Sequence, residues 1–179
     1  MRLGVAGQLG AGTAEAVRRV RDWGFKAASW HLPDLRTAGD AATLERVREA
    51  LEAEDVTLCQ LLPPDYPSLV HPDPSVRAEG VAALTRVLEA AALLGAETVY
   101  VRPGSLNAAG AWTPHPENHT PACRDRLVES LKTLVPHAEA AGIPLALEGH
   151  VVSPLHTPAV VREVLDRVGS PLLGFNVDP

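Results

Sequence analysis

The sequence predicts an α/β protein of the (β/α) TIM-barrel class, incomplete in this chain, with about six strands and five helices. Three observations carry that reading. Short apolar runs rich in Val and Leu alternate with longer stretches of helical period, as successive βα units do. The longer loops follow the C-terminal ends of the strands. Trp30, His31, Gln60, Arg102, Glu148, His150 and Asp178 gather at those same ends, where a barrel of this class builds its site. A doubly wound open sheet shares the alternation but needs a phosphate-binding turn. Gly4, Gly7, Gly10 and Gly12 spell neither G-x-G-x-x-G nor G-x-x-x-x-G-K-[ST], and they read as a flexible turn.

The elements follow in order. Leu3–Ala6 is a first strand, and Thr13–Trp23 an amphipathic helix with Thr13 as N-cap and Gly24 just past its end. Ala27–Trp30 is the second strand. Over Ala41–Glu54, Leu44, Val47 and Leu51 share one face while Glu45, Arg46, Arg48, Glu49 and Glu52 stay wet, the pattern of a helix covering a sheet. Thr57–Leu62 is the third strand, and a Pro-rich loop leads to a helix over Val76–Leu94 that Gly95 ends. Thr98–Arg102 is the fourth strand. A second long loop, holding Pro103, Gly104, Trp112, Pro114 and Pro116, precedes a helix over Ala122–Ala141 in which Pro136 marks a kink or a break. Leu145–Glu148 is the fifth strand, Pro158–Val168 a helix capped by Thr157, and Leu173–Val177 the sixth strand.

Composition bounds what such a chain does. Its 179 residues are 46% hydrophobic and 4% aromatic, which predicts a single globular domain over 1–179. With 16 Lys and Arg against 22 Asp and Glu the net charge is -6, the wrong sign for holding nucleic acid. The Met1–Val5 run meets the Gly-rich turn at once, and no later run approaches the roughly 18 apolar residues of a membrane span, so a cytoplasmic protein with no membrane partner is expected. Cys59 and Cys123 lie far apart, match no metal-ligand spacing, and read as small buried hydrophobes in a reducing compartment.

Chemistry concentrates at two strand ends. Leu145-Ala146-Leu147-Glu148-Gly149-His150 delivers a carboxylate and then an imidazole to the rim, and Leu172-Leu173-Gly174-Phe175-Asn176-Val177-Asp178-Pro179 delivers a second carboxylate one strand over. Neighbouring parallel strands lie about 4.8 Å apart, so such carboxylates can share one hard cation. The competing reading of each acid is a helix cap or a salt bridge. His115 and His119 have H-x-x-x-H spacing but sit in a Pro-rich loop and are set aside, and His71, His137 and His156 are given no role.

The order of units, the Leu147-Glu148-Gly149-His150 strand end and the Gly174–Pro179 ending resemble the xylose-isomerase-like TIM barrels, the sugar phosphate isomerase/epimerase proteins, whose superfamily includes DNA-repair endonucleases of the endonuclease IV type. The resemblance implies that Glu148 and Asp178 are ligands of one divalent metal ion (Mn, Mg, Co or Zn). In that family a His and a second Glu from later strands complete the set. It further implies an isomerase or epimerase that moves a proton between adjacent carbons of a sugar or sugar phosphate through an enediolate, with Glu148 as ligand and base. His150, Arg102, Trp30, His31 and Gln60 would bind the substrate. The strand ends Cys59–Pro63 and Val101–Ser105 lack the further His ligands of the endonuclease branch, and Arg102 stands where that branch would have His. Two alternatives use the same fold: a metal-dependent dehydratase or lyase, and a truncated, non-catalytic barrel. A full barrel takes about 250 residues, so the sequence reads as the N-terminal part of one, inactive alone, or as a chain completed in a homo-oligomer or by a partner.

Overall fold

The computed structural model describes residues 3–7 and 9–178; Met1, Arg2, Gln8 and Pro179, which end or interrupt the N-terminal run and the Gly174–Pro179 motif, lie outside them. Among the described residues there are six strands and six α-helices: β1 (Gly4–Val5), α1 (Ala14–Asp22), β2 (Ala27–His31), α2 (Leu35–Ala38), α3 (Ala41–Ala53), β3 (Thr57–Leu62), α4 (Pro74–Leu94), β4 (Val99–Val101), α5 (Pro121–Ala141), β5 (Leu145–Glu148), α6 (Pro158–Val168) and β6 (Leu173–Asn176). They form two compact units. The first runs to Asp65 and takes in Arg86–Val99 and Ala141–Ile143, and the second comprises Tyr66–Thr85, Tyr100–Ala140 and the chain from Pro144 onward.

In the first unit β1, β2, β3 and Val99 of β4 pair in that order, all parallel, with Gly4 opposite Ala27 and Leu61 opposite Val99. Thr13 caps α1 by accepting the Ala16 N–H at 3.2 Å, as its position before a helical run predicts. The buried face of α1 (Val17, Val20) and that of α3 (Leu44, Val47, Leu51) join Trp30, Leu58 and Leu61 in the core. Glu54 binds Arg18 and Arg21 on the outside of this layer. The one-turn α2 is absent from the sequence reading because four residues carry no periodicity. It exists through Asp34, whose Oδ1 accepts the Thr37 N–H at 2.9 Å. That bond, with Arg36 beside it, holds the Asp34 carboxyl down at about 2.

The second unit holds Tyr100 and Val101 of β4, then β5 and β6, which pair parallel with Leu145 opposite Leu173 and Glu148 opposite Asn176. Helix α5 buries Leu127, Leu131 and Leu134 at i, i+4 and i+7, and α6 buries Val161 and Val164. Pro136 lies inside α5 without breaking it, at the loss of one backbone hydrogen bond. Helix α4 starts at Pro74, two residues ahead of the expected Val76, because Pro is pre-set for a first helical turn. Strand β6 stops at Asn176, one residue short of Val177. Thr157 caps α6 through the Val160 N–H at 3.3 Å, and Gly169, at φ 72°, closes its far end.

Candidate active site

Three of the expected substrate contacts belong to the first unit. Trp30 is fully buried, its indole N–H donating to the Gly10 carbonyl at 2.9 Å. Within the glycine cluster, Gly12 is closely packed whereas Gly7 and Gly10 have open space beside them. Gly12 has φ 69°, and a Cβ there would come within 2.7 Å of the Trp30 ring and 2.8 Å of Val47. Trp30 therefore packs against this turn. His31 is exposed at the end of β2. Between Ala28 and Ser29 the β2–β3 register shifts, so Ser29 faces Gln60 and Cys59 is the extra residue. The Cys59 thiol donates to the Ala28 carbonyl at 3.2 Å, and this residue is half-buried where Cys123 is fully enclosed.

Arg102, Glu148, His150 and Asp178 belong to the second unit. Arg102 follows β4 directly and is only 7% exposed. Its guanidinium carbon lies 4.3 Å from the centroid of the Tyr66 ring, a cation–π contact that partly offsets burying the charge. Beyond it the chain turns at Pro103-Gly104. Gly104, at φ 87°, passes so close to Ser68 that a Cβ would meet its hydroxyl at 2.5 Å.

Glu148 ends β5, half-buried, and its Oε2 accepts the Asn176 side-chain amide at 2.6 Å. The Tyr100 hydroxyl also interacts with this carboxylate. Burial first, and then the negative charge of Glu148, push the Tyr100 phenol well above its ordinary range. Asp178 lies exposed, two residues past the end of β6. The sequence reading gives no role to Asn176 or Tyr100. The available signal was an amide in an otherwise apolar strand, two residues before the acid.

The rim around Glu148 consists of the loops after β4 and β5, and Asn118 joins them. It is fully buried in a 3-10 turn over Pro116–His119, accepts the Leu106 N–H at 2.9 Å, and donates to the Ser105 hydroxyl at 2.9 Å and the Val152 carbonyl at 2.7 Å. His119 stacks on His156 with ring centroids 4.0 Å apart, so two histidines given no role from sequence both serve this junction. Trp112 meets His150 edge-on at 5.5 Å. Gly149, between Glu148 and His150, has no room for a side chain: a Cβ would lie 2.5 Å from the Leu155 carbonyl oxygen. His150 and Asp178 line one open groove of about 520 Å³ with Leu155, Phe175 and Val177. Arg102 lines a different cavity of about 260 Å³ with Tyr66, Ser68 and Ser105.

Glu148 and Asp178 offer hard oxygen donors, the ligand chemistry that suits a divalent cation such as Mg²⁺ or Mn²⁺. Among the described residues no three His, Cys, Asp or Glu side chains converge, so these two would form part of a ligand set. No helix among the described residues is long and apolar enough to cross a membrane.

Comparison with curated protein sequences gave no match. Among solved structures, 3-keto-D-glucoside 4-epimerase from E. coli superposes with a TM-score of 0.76 at 19% identity, over 98% of this chain and 67% of that one. D-psicose 3-epimerase, crystallised in the presence of D-fructose, gives 0.76 at 21% identity over 98% of this chain and 62% of that one. A xylose isomerase-like TIM barrel protein from Mycobacterium smegmatis in complex with magnesium gives 0.73 at 21% identity over 99% and 64%. The chain thus spans between 62% and 67% of these structures and shares their fold. The profile of one family matches residues 17–179, nearly the whole sequence, and the chain belongs to the xylose isomerase-like TIM barrel family.

Proposed function

We propose that this chain carries part of the active site of a cytoplasmic isomerase or epimerase acting on a sugar or sugar phosphate, with Glu148 as the base. The observation that carries the reading is the Glu148 carboxylate at the end of β5, held by the neighbouring strand and next to the chain that bears Asp178. Glu148 takes the proton from the carbon next to the substrate carbonyl, the electron pair moves onto that carbonyl oxygen, and return of a proton to either carbon or either face gives isomer or epimer. His150, exposed beside Glu148, and Arg102 are the residues of this unit that would bind the hydroxyls or phosphate of the substrate. Glu148 and Asp178 would hold a divalent cation, whose contribution is to withdraw charge from the substrate oxygens. Among the described residues these two are only part of the ligand set such a cation takes.

Solvent deuterium supplies the test. A ketose panel incubated with the complete protein and Mn²⁺ in D₂O is expected to gain deuterium at the carbon next to the carbonyl, read by proton NMR, and Glu148→Gln is expected to lose that exchange by at least about a hundredfold. Calorimetric titration with Mn²⁺ checks the ligand role, since unchanged affinity in Glu148→Gln would remove the metal assignment.

A further inference from the structure

We propose that Asn176 is the positioning residue of Glu148: its amide binds Oε2 and thereby fixes the orientation of the carboxylate that serves as the base. The inference rests on the isomerase reading, in which Glu148 is the group that moves the proton. Its own ground is the pairing of β5 with β6. Glu148 and Asn176 are opposite each other in a parallel register, and residues so paired point to the same side of the sheet. The 2.6 Å separation between Nδ2 and Oε2 is short for N–H···O, as a bond to a charged acceptor is.

The chemistry of the two groups leaves one arrangement. An ionised carboxylate only accepts, so the amide must turn its NH₂ toward Glu148 and its own carbonyl away. The terminal torsion of a Glu side chain is broad and two-fold, and without a partner the two oxygens exchange freely. The Asn176 bond to Oε2 opposes that exchange, and the Tyr100 hydroxyl meets the same carboxylate. A proton abstraction is sensitive to such placement, because a displacement of about 1 Å can cost about a hundredfold in rate. Strand stability does not explain the residue. Asn is disfavoured in strands, and the positions flanking it along β6 are apolar Phe175 and Val177.

Infrared spectroscopy of the 179-residue chain labelled with ¹³C-glutamate reads this bond without any substrate or metal. The Glu148 carboxylate band is identified as the one missing from Glu148→Gln. Asn176→Asp keeps the shape of the side chain but removes the donor, Asn176→Ala removes both, and Asn176→Ser restores a short donor. In Asp and Ala variants that melt cooperatively, the Glu148 band is expected to shift and broaden, with partial recovery in the Ser variant. Mn²⁺ affinity, read by electron paramagnetic resonance of the free ion, is expected to fall about tenfold in the Ala variant. An unshifted Glu148 band in both Ala and Asp variants overturns the proposal, whatever the metal does. If the unsubstituted chain binds no Mn²⁺ while the band still shifts, the positioning role stands and it is the metal part of the proposed function that falls.

Discussion

The Tyr66 hydroxyl donates to the Arg102 carbonyl at 2.7 Å and accepts the Arg102 N–H at 2.8 Å, so one side chain satisfies both backbone polar groups of the residue that leaves β4. The same tyrosine carries the Arg102 guanidinium on its ring. Tyr66→Phe keeps the ring and strips both hydrogen bonds from a buried backbone. The expected loss of stability is about 2 kcal/mol, or a Tm lower by about 4–8 °C in a chain of this size. Urea denaturation checks it, and a loss below about 0.5 kcal/mol would show that water replaces the hydroxyl.

High pH tests the environment of Tyr66 and Tyr100, the only tyrosines of the sequence. Burial raises both phenols above the ordinary value of about 10, and the Glu148 charge adds to the shift at Tyr100. Above that pH the unfolded chain releases phenolic protons that the folded chain keeps, so stability falls as pH rises. Absorbance at about 295 nm, where tyrosinate absorbs, should therefore stay flat past the ordinary phenol range and rise only together with the loss of circular dichroism. Titration of either tyrosine in the folded chain near its ordinary value would contradict the burial described above.

Asn118 is expected to be among the least replaceable polar residues. Asn118→Leu leaves the Leu106 N–H, the Ser105 hydroxyl and the Val152 carbonyl to find other partners, at an expected cost of about 3 kcal/mol. Hydrogen exchange should localise the damage. Amides of the loops after β4 and β5 lose protection together, whereas those of α1 and α3 keep theirs.

Gly12→Ala probes the first unit. The substitution places a side chain at φ 69° and drives it into Trp30 and Val47. A loss of about 2 kcal/mol is expected, with a red-shifted tryptophan emission as the indole is displaced toward water. Gly7→Ala shares the positive φ but meets nothing within 4 Å, so it should cost less.

What could be read from the sequence was whatever depends on one stretch of chain. Thr13 and Thr157 announce their helices because a cap acts three residues away, and Glu148 stands out because an apolar strand ends in an acid. What could not be read depends on pieces far apart in the chain. The partner of Glu148 follows from a register across 28 residues, the tasks of Asn118 and of the stacked His119 and His156 from the meeting of two loops, and the pairing of Gln60 with Ser29 from a bulge that no local pattern encodes. The Trp at the end of the second strand was ambiguous for the opposite reason. A strand end is both rim and core, and only the indole bond to Gly10 shows which face Trp30 occupies.

The crowding at Gly149 sets a rule for anyone reshaping the rim beside Glu148. Its backbone is wedged against the Leu155 carbonyl, so the tripeptide from Glu148 to His150 cannot be diversified as a block. A library that randomises all three codons would spend most of its members on chains whose rim has been pushed apart. One that leaves the glycine codon alone and varies His150, Val151 and Trp112 would explore new surface shapes while Glu148 stays where the sheet puts it.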